Sequence, residues 1–142
     1  MNALLKLREV HVEMQSAGDG RVFPLQGVDL KVGQREAVGL VGESGCGKSM
    51  TLRAILRLLP NGGRQTQGEI SLNGDRLDNA DDVYFETIRG RQISMIFQDP
   101  VSALSPLLSI GDQISDVYRY STRATKSEGC CLLYTSAAAA ER

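Results

Sequence analysis

The chain has 142 residues, a formal net charge of −1, 42% hydrophobic and 23% charged residues, which is the composition of one soluble globular domain at most and excludes a disordered polypeptide. The near-neutral charge argues against a nucleic-acid partner held by a dominant positive field, and it leaves a local basic patch open. Three cysteines are too few for a disulfide scaffold and indicate a reducing compartment. The single histidine excludes a multi-histidine metal site, and no apolar run approaches the ~20 residues that span a bilayer.

The first half of the chain predicts a hairpin, a buried strand and a helix. Residues 5–14 and 22–32 are extended stretches on either side of a turn-like segment, and they predict two paired strands. Residues 36–41 are almost continuously apolar, which is typical of a strand buried on both faces of a parallel sheet. A helix is expected from about Lys48, with a packed stripe of leucine and isoleucine, and residues 60–63 end it. The stripe comprises Leu52, Ile55, Leu56 and Leu59.

The second half predicts shorter elements. Residues 69–72 indicate a short strand followed by an Asn-Gly turn, and residues 81–89 a short helix with acidic cap candidates. Residues 93–97 are a second buried-strand candidate that ends before Pro100. A helix is expected from Ser109 to about Tyr118, after which the sequence loses its periodicity.

The clearest motif is GESGCGKS at residues 42–49, which matches G-x-x-x-x-G-K-[ST] between a predicted strand and a predicted helix. Glycines let backbone N–H groups converge on phosphate oxygens, and the helix N-terminus adds partial positive charge. Lys48 is expected to reach the β- and γ-phosphates, and the Ser49 hydroxyl to bind Mg²⁺. The alternative is a glycine-rich turn without a ligand. The expected nucleotide-binding residues are Gly42, Glu43, Ser44, Gly45, Cys46, Gly47, Lys48, Ser49 and Met50.

The motif alone leaves the reaction open, because GTPases, kinases and transport ATPases share it. A GTPase should carry Asp-x-x-Gly after the loop, and no aspartate of this chain has glycine three residues on. The segment 125–128, Thr-Lys-Ser-Glu, is only a faint match to a guanine-reading motif. We therefore reject a GTPase.

With these motifs and those that follow, the sequence resembles an ATP-binding cassette ATPase, most closely the ATP-binding subunits of bacterial importers of dipeptides, oligopeptides and related nickel or microcin substrates. The resemblance covers residues 5 to about 114 and implies an α/β P-loop fold with an antiparallel subdomain and part of a parallel sheet. The matching segments are 41–49 (VGESGCGKS), 56–60 (LRLLP), 95–100 (MIFQDP), 103–106 (ALSP) and 110–114 (IGDQI).

The resemblance implies ATP and Mg²⁺ as ligands and assigns roles to two further places. Gln98 is the glutamine-loop residue, which with Lys48 is expected to be catalytic and with Ser49 to reach Mg²⁺; its alternative is an ordinary loop residue. Residues 99–108 are expected to border the groove for a membrane subunit, or else to be a solvent loop. The family stacks an aromatic side chain on adenine, whereas this chain has Met14 at the expected position.

Four other side chains are expected to have structural roles. Phe23 is expected in the core of a strand, although it is the one aromatic residue near Met14. Arg89 and Arg91 are expected on a solvated face, and His11 is expected to be a satisfied strand residue.

The family resemblance also implies partners and a location. These are transmembrane permease subunits, a second ATP-binding subunit in a homo- or heterodimer and, indirectly, a solute-binding protein, at the cytoplasmic face of a bacterial membrane. No nucleic acid is expected. The rival interpretations are a non-transport cassette ATPase acting on nucleic acid or ribosomes, and a truncated fragment without activity.

The chain is expected to bind nucleotide weakly, if at all, and not to hydrolyse it. It contains no Leu-Ser-Gly-Gly-Gln, no apolar strand ending in Asp-Glu and no later switch histidine, so groups that position water and stabilise charge are missing. Residues 1–114 are expected to be the N-terminal part of the ATPase domain, and residues 115–142 an unstructured or artefactual tail. Residues 131–136 resemble a translated transposon-end adapter, so the family's reading frame is expected to end between Ile114 and Cys130; a natural C-terminus is the alternative.

Overall fold

The structure is a computed structural model that describes residues 3–16, 20–60, 62–99 and 103–122. The chain forms two compact units, Met1–Ile93 and Ser94–Arg142. This division falls earlier than the boundary predicted near residue 114. None of the described helices has the length and apolar character needed to cross a bilayer.

The first unit contains a four-stranded antiparallel sheet with the order β2-β1-β3-β4. Its strands are β1 (Ala3–Gln15), β2 (Arg21–Gly33), β3 (Arg64–Leu72) and β4 (Asp75–Arg76). The predicted hairpin is confirmed, because β1 and β2 pair along their length. The short strand predicted at residues 69–72 is the end of the longer β3, and its Asn-Gly turn leads into β4.

A bulge in β1 changes which residues face the core. Leu7 is buried before the bulge, and Val10 and Val12 are buried after it, so the alternation shifts by one residue. Gly68 on β3 lies opposite this bulge with φ +90°, and a Cβ there would be 2.3 Å from the Glu9 carbonyl oxygen. Only glycine fits the close approach of these two strands.

Two helices of the first unit pack on the sheet. Helix α1 (Lys48–Ile55) buries Thr51, Ala54 and Ile55. Helix α2 (Asp82–Ile88) begins where predicted, because the Asp81 carboxylate accepts a bond of 2.6 Å from the Tyr84 N–H. The core formed by the sheet and both helices comprises Leu7, Val10, Val12, Leu25, Ala54, Ile55, Ile70, Leu72, Leu77, Phe85 and Ile88.

Helix α1 is shorter than predicted, and the predicted stripe is partly wrong. Arg57 adopts φ +52° immediately after the helix, and the N–H groups of Arg57 and Leu58 donate back to the carbonyls of Ala54 and Arg53. This is a Schellman-type end with arginine where glycine is usual. Leu52 is 45% exposed because the buried face runs through Ala54 and its neighbours instead.

The two strands predicted for a parallel sheet are absent from the described residues. Residues 36–41 and 94–97 carry no strand assignment, and Val41 and Ile96 are 94% and 93% exposed. A strand buried on both faces needs neighbours that pair with its N–H and C=O groups. In the described part of the chain, the parallel pairing reduces to a single bridge between Arg89 and Ile93. The expectation of part of a parallel sheet is therefore wrong for these residues.

The Asp78 carboxylate connects β3, β4 and the following loop. Its side chain accepts bonds from Arg76 at 2.6 Å and from the Ile70 N–H at 3.1 Å. Burial opposes its ionisation, but these hydrogen bonds outweigh burial and hold the pKa of Asp78 below its ordinary value of 3.8.

We therefore expect Asp78→Asn to lower the free energy of unfolding by about 1–2 kcal/mol at neutral pH. A lowered pKa stabilises the fold above the unfolded-state value, and this contribution disappears as the pH falls through the folded-state value. The difference between Asp78→Asn and the unsubstituted chain should thus shrink below pH 3.8. Urea unfolding at a series of pH values measures it, and a difference that stays constant into acid would contradict the ionic role.

The second unit contains helix α3 (Ile110–Thr122). Ser109 caps it, because its hydroxyl accepts from the Asp112 N–H and donates to the Asp112 carboxylate at 2.7 Å. The Gln113 side chain bonds the N–H and the carbonyl of Ser105, which fastens the preceding loop to the helix. Helix α3 continues beyond the predicted end near Tyr118 to Thr122, so residues 115–122 of the segment predicted to be an unstructured or artefactual tail are helical. Residues 123–142, including the adapter-like segment, lie outside the described residues.

Candidate functional site

Residues 42–47 form a tight turn that leads directly into α1. Gly45 and Gly47 have φ values of +84° and +96°, and Gly47 is the N-cap of the helix. A Cβ at Gly47 would lie 2.8 Å from the Pro24 carbonyl oxygen and 2.9 Å from Leu25 Cδ2. The glycine therefore provides both the left-handed conformation and the close packing of the loop on β2.

The Lys48 side chain folds back over this turn. Its Nζ donates to the carbonyl oxygens of Gly42 at 2.7 Å and Glu43 at 2.5 Å, and lies 3.3 Å from Cys46 Sγ. The ammonium is thus held at the mouth of the loop by backbone acceptors. A phosphate group could take over these bonds, because its oxygens are stronger acceptors for an ammonium.

The start of α1 is left open to an anion. Gly47 supplies no side-chain cap, and the first turn of the helix contains no acidic residue. The first N–H groups of a helix have no intrahelical partner, and the helix dipole favours negative charge there. Thr51 fixes the turn from below, since its N–H and hydroxyl both donate to the Gly47 carbonyl, at 2.8 and 3.0 Å. Donors, dipole and ammonium together fit a phosphate group.

The predicted loop residues are therefore assembled in one place. Gly42, Glu43, Ser44, Gly45, Cys46 and Ser49 are exposed, while Gly47, Lys48 and Met50 are half-buried. Ser49 is the second residue of α1, and its assignment as a Mg²⁺ ligand stays a prediction. The segment that precedes the loop, residues 36–41, is exposed and forms no strand, unlike the predicted buried strand.

Gln98 belongs to the second unit, whereas residues 42–49 belong to the first. It is an exposed residue of the second unit, in the non-helical segment that precedes α3. Its assignment as a Mg²⁺ ligand and catalytic residue stays a prediction from the family resemblance.

Phe23, Met14 and His11 lie on β1 and β2, the early strands from which the family resemblance expects an adenine contact. Phe23 is 51% exposed, so the prediction that it is a core residue is wrong. Met14 packs against the edge of the core, and a Cβ at Gly63 would be 3.0 Å from Met14 Cγ. His11 is partly buried on β1, with its Nε2 at 3.9 Å from the Glu9 carboxylate.

Arg89 makes a contact with the end of α1 that the sequence did not indicate. It was expected on a solvated face, but its Nε donates to the Leu56 carbonyl at 2.9 Å and its Nη2 to the Arg57 carbonyl at 3.2 Å. These are carbonyls at the end of α1, so Arg89 fastens α2 to the helix that carries the loop. An arginine after a short helix gives no sequence signal for this contact, because its acceptors are backbone atoms 32 and 33 residues away.

A family model described as "ABC transporter" matches residues 25–140, more than half of the chain. The chain belongs to the ABC transporter family. Among the solved structures, the dimeric structure of MJ0796, a bacterial ABC transporter cassette, superposes with a TM-score of 0.72 at 27% identity. The alignment covers 85% of this chain and 49% of that cassette.

The curated relatives of this ABC transporter chain are transport ATP-binding proteins. It is 40% identical to the probable D,D-dipeptide transport ATP-binding protein of Escherichia coli (strain K12), over 88% of this chain and 38% of that protein. It is 37% identical to the dipeptide transport ATP-binding protein of Bacillus subtilis (strain 168), over 94% of this chain and 41% of that protein. The chain thus spans about two fifths of the length of these relatives.

Proposed function

We propose that this ABC transporter chain binds Mg-ATP at residues 42–50 and is the nucleotide-binding part of a subunit that drives peptide import. The observation that carries the proposal is the closed loop, in which the Lys48 ammonium lies within 2.7 Å of the Gly42 carbonyl beside the uncapped start of α1. The names of the curated relatives support peptides as the cargo of the parent protein.

Each residue of the loop would have a distinct role. Lys48 would exchange its bonds to the Gly42 and Glu43 carbonyls for oxygens of the β- and γ-phosphates. The N–H groups at the start of α1 would bind the same phosphates, and the Ser49 hydroxyl would complete the shell of Mg²⁺. When bound, Mg²⁺ neutralises phosphate charge and orients the oxygens. Gln98 would add a neutral amide oxygen to that shell.

We further propose that the 142-residue chain holds ATP without hydrolysing it. The phosphate loop supplies binding and part of the charge stabilisation, and the sequence lacks the acidic pair and signature motif that position water and complete the site of an opposing subunit. Hydrolysis would then belong to the parent protein, with Lys48 and Gln98 acting in it.

The parent subunit would act with partners at the cytoplasmic face of a bacterial membrane. A second ATP-binding subunit is supported by the dimeric structure of MJ0796, which the chain resembles. Permease subunits, with a solute-binding protein outside, are the further partners that the family resemblance implies, and the transport names of the relatives support a role in transport. Residues 99–108, of which 100–102 lie outside the described residues, would border the groove for a permease, and the Ser105–Gln113 contact holds this loop to α3.

The proposal is tested by thermal unfolding and by phosphate release on the purified chain. Mg-ATP at a hundred times its dissociation constant should stabilise the fold by about 2.7 kcal/mol, and Lys48→Ala should remove most of this effect. No phosphate release above the Lys48→Ala control is expected. An unchanged melting temperature would contradict binding, whereas binding with turnover would contradict only the proposed lack of hydrolysis.

A further inference from the structure

The polar face of the sheet carries a transverse row of cationic side chains, far in sequence from the phosphate loop. Lys6 on β1 is in register with Lys31 on β2 and with Ser71 on β3. Ser71 is in turn opposite Arg76 on β4. Since residues in register share a face, three cations and a hydroxyl lie side by side on the face opposite Leu5 and Leu7.

The arginines on this sheet have carboxylate partners. Arg76 is within 3.2 Å of Glu69 and 2.6 Å of Asp78, and Arg8 is 3.9 Å from Glu69. Two further arginines, Arg21 and Arg64, share the Glu13 carboxylate.

The two lysines differ from these arginines. Within residues 3–16, 20–60, 62–99 and 103–122, neither Lys6 nor Lys31 has a carboxylate within 4.0 Å. Like charges directly opposite each other on neighbouring strands repel. An anion bound between Lys6 and Lys31 would offset that repulsion.

A hollow of about 510 Å³ lies at the same place. Besides the lysines, it is lined by donors that suit oxygen atoms, namely the Ser71 hydroxyl and the side-chain amides of Gln34 and Asn73. The hollow contains no carboxylate in its lining. Asn73 is held in place by its N–H, which donates to the Leu4 carbonyl at 2.7 Å.

We propose that Lys6 and Lys31 form a second anion site that takes an oxyanion of the phosphate class. Two adjacent ammonium groups match a doubly charged anion better than a single carboxylate, and the hydroxyl and amide groups would bind its remaining oxygens. The site shares no residue with the phosphate loop, so it does not depend on nucleotide binding there. The phosphate could be a free ion or the headgroup of an anionic lipid.

The free-ion arm of the test is a titration of the 142-residue chain carrying Lys48→Ala with inorganic pyrophosphate, followed by the amide resonances of Lys6, Lys31 and Ser71. Saturable shifts are expected. Replacing both lysines by glutamine should weaken binding roughly tenfold, and replacing both by arginine should retain it. Arg119→Gln, which removes one positive charge on α3, is the matched control for the single substitutions Lys6→Gln and Lys31→Gln and should leave the affinity unchanged.

The lipid arm is co-sedimentation of the same variants with phosphatidylglycerol vesicles, compared with phosphatidylcholine vesicles. Saturable binding in either arm that is lost with the two lysines supports the site and identifies its source. The absence of such binding in both arms, or an equal loss in Arg119→Gln, would overturn the proposal. Circular dichroism of each variant shows whether its fold is retained, and a variant that unfolds is replaced by the single substitutions Lys6→Gln and Lys31→Gln.

Discussion

Replacing Phe85 by alanine is expected to lower the free energy of unfolding by about 3–5 kcal/mol, the largest loss of stability from any single truncation that we predict. Phe85 is 1% exposed and belongs to the core between α2 and the sheet. Two guanidinium groups also contact its ring, because the guanidinium carbons of Arg57 and Arg89 lie 4.5 and 4.8 Å from the ring centre. Alanine would leave a cavity and remove both cation–π contacts.

The effect should extend beyond the cavity itself. Arg57 donates to the carbonyls of Leu77 and Asp78 at 2.6 and 3.0 Å, and Arg89 donates to the carbonyls that end α1. The two guanidinium groups therefore pack on the ring while they donate hydrogen bonds to four backbone carbonyls. Without the ring, these half-buried carbonyls lose firmly held donors, which is costly.

Two variants separate these contributions by urea unfolding. Phe85→Leu keeps most of the apolar volume and should cost less than the alanine variant, by the cavity term. Val83 lies on the same helix and is 73% exposed, so Val83→Ala should lower the free energy of unfolding by less than about 1 kcal/mol. Equal losses for Phe85→Ala and Val83→Ala would contradict the role of the ring.

Gly47→Ala is expected to abolish nucleotide binding and to destabilise the fold. The new Cβ would be forced to within 2.8 Å of the Pro24 carbonyl oxygen, at a φ of +96° that alanine disfavours. Either β2 or the loop must move, and the N–H groups at the start of α1 would no longer converge on a phosphate. We expect a loss of affinity for Mg-ATP of at least about a hundredfold, because the N–H groups at the start of α1 and the Lys48 ammonium depend on this geometry.

Gly62→Ala is the matched control, measured by titration calorimetry with Mg-ATP. Gly62 also has a positive φ, +68°, but a Cβ there meets nothing within 4 Å. It should therefore show a stability cost of about 1 kcal/mol from its backbone conformation with unchanged nucleotide affinity. If Gly47→Ala binds Mg-ATP as tightly as Gly62→Ala, the loop is not the nucleotide site.

Features fixed by neighbouring residues were predictable from the sequence. The β1–β2 hairpin, the Asp81 cap of α2 and the turn at residues 42–49 depend on local alternation, a side-chain cap and glycine positions. The start of α3 was also predicted closely, because Ser109 and Asp112 cap it within one turn.

Features that depend on distant partners were not predictable. The apolar runs at residues 36–41 and 93–97 indicate strands, but such strands form only where neighbours pair with them, and Val41 and Ile96 are almost fully exposed. The early end of α1 depends on a left-handed Arg57 whose neighbouring carbonyls bind Arg89 from another helix. No local pattern encodes that contact.

The most direct test of the account is a titration of the isotopically labelled chain with Mg-ATP, followed by the amide resonances of Gly45, Gly47, Lys48 and Ser49. We predict saturable shifts that centre on these four residues and disappear in Lys48→Ala, since the ammonium and the N–H groups at the start of α1 bind the same phosphates. Resonances of the loop that stay unmoved, while the chain remains folded, would contradict the claim that residues 42–50 are a phosphate-binding site.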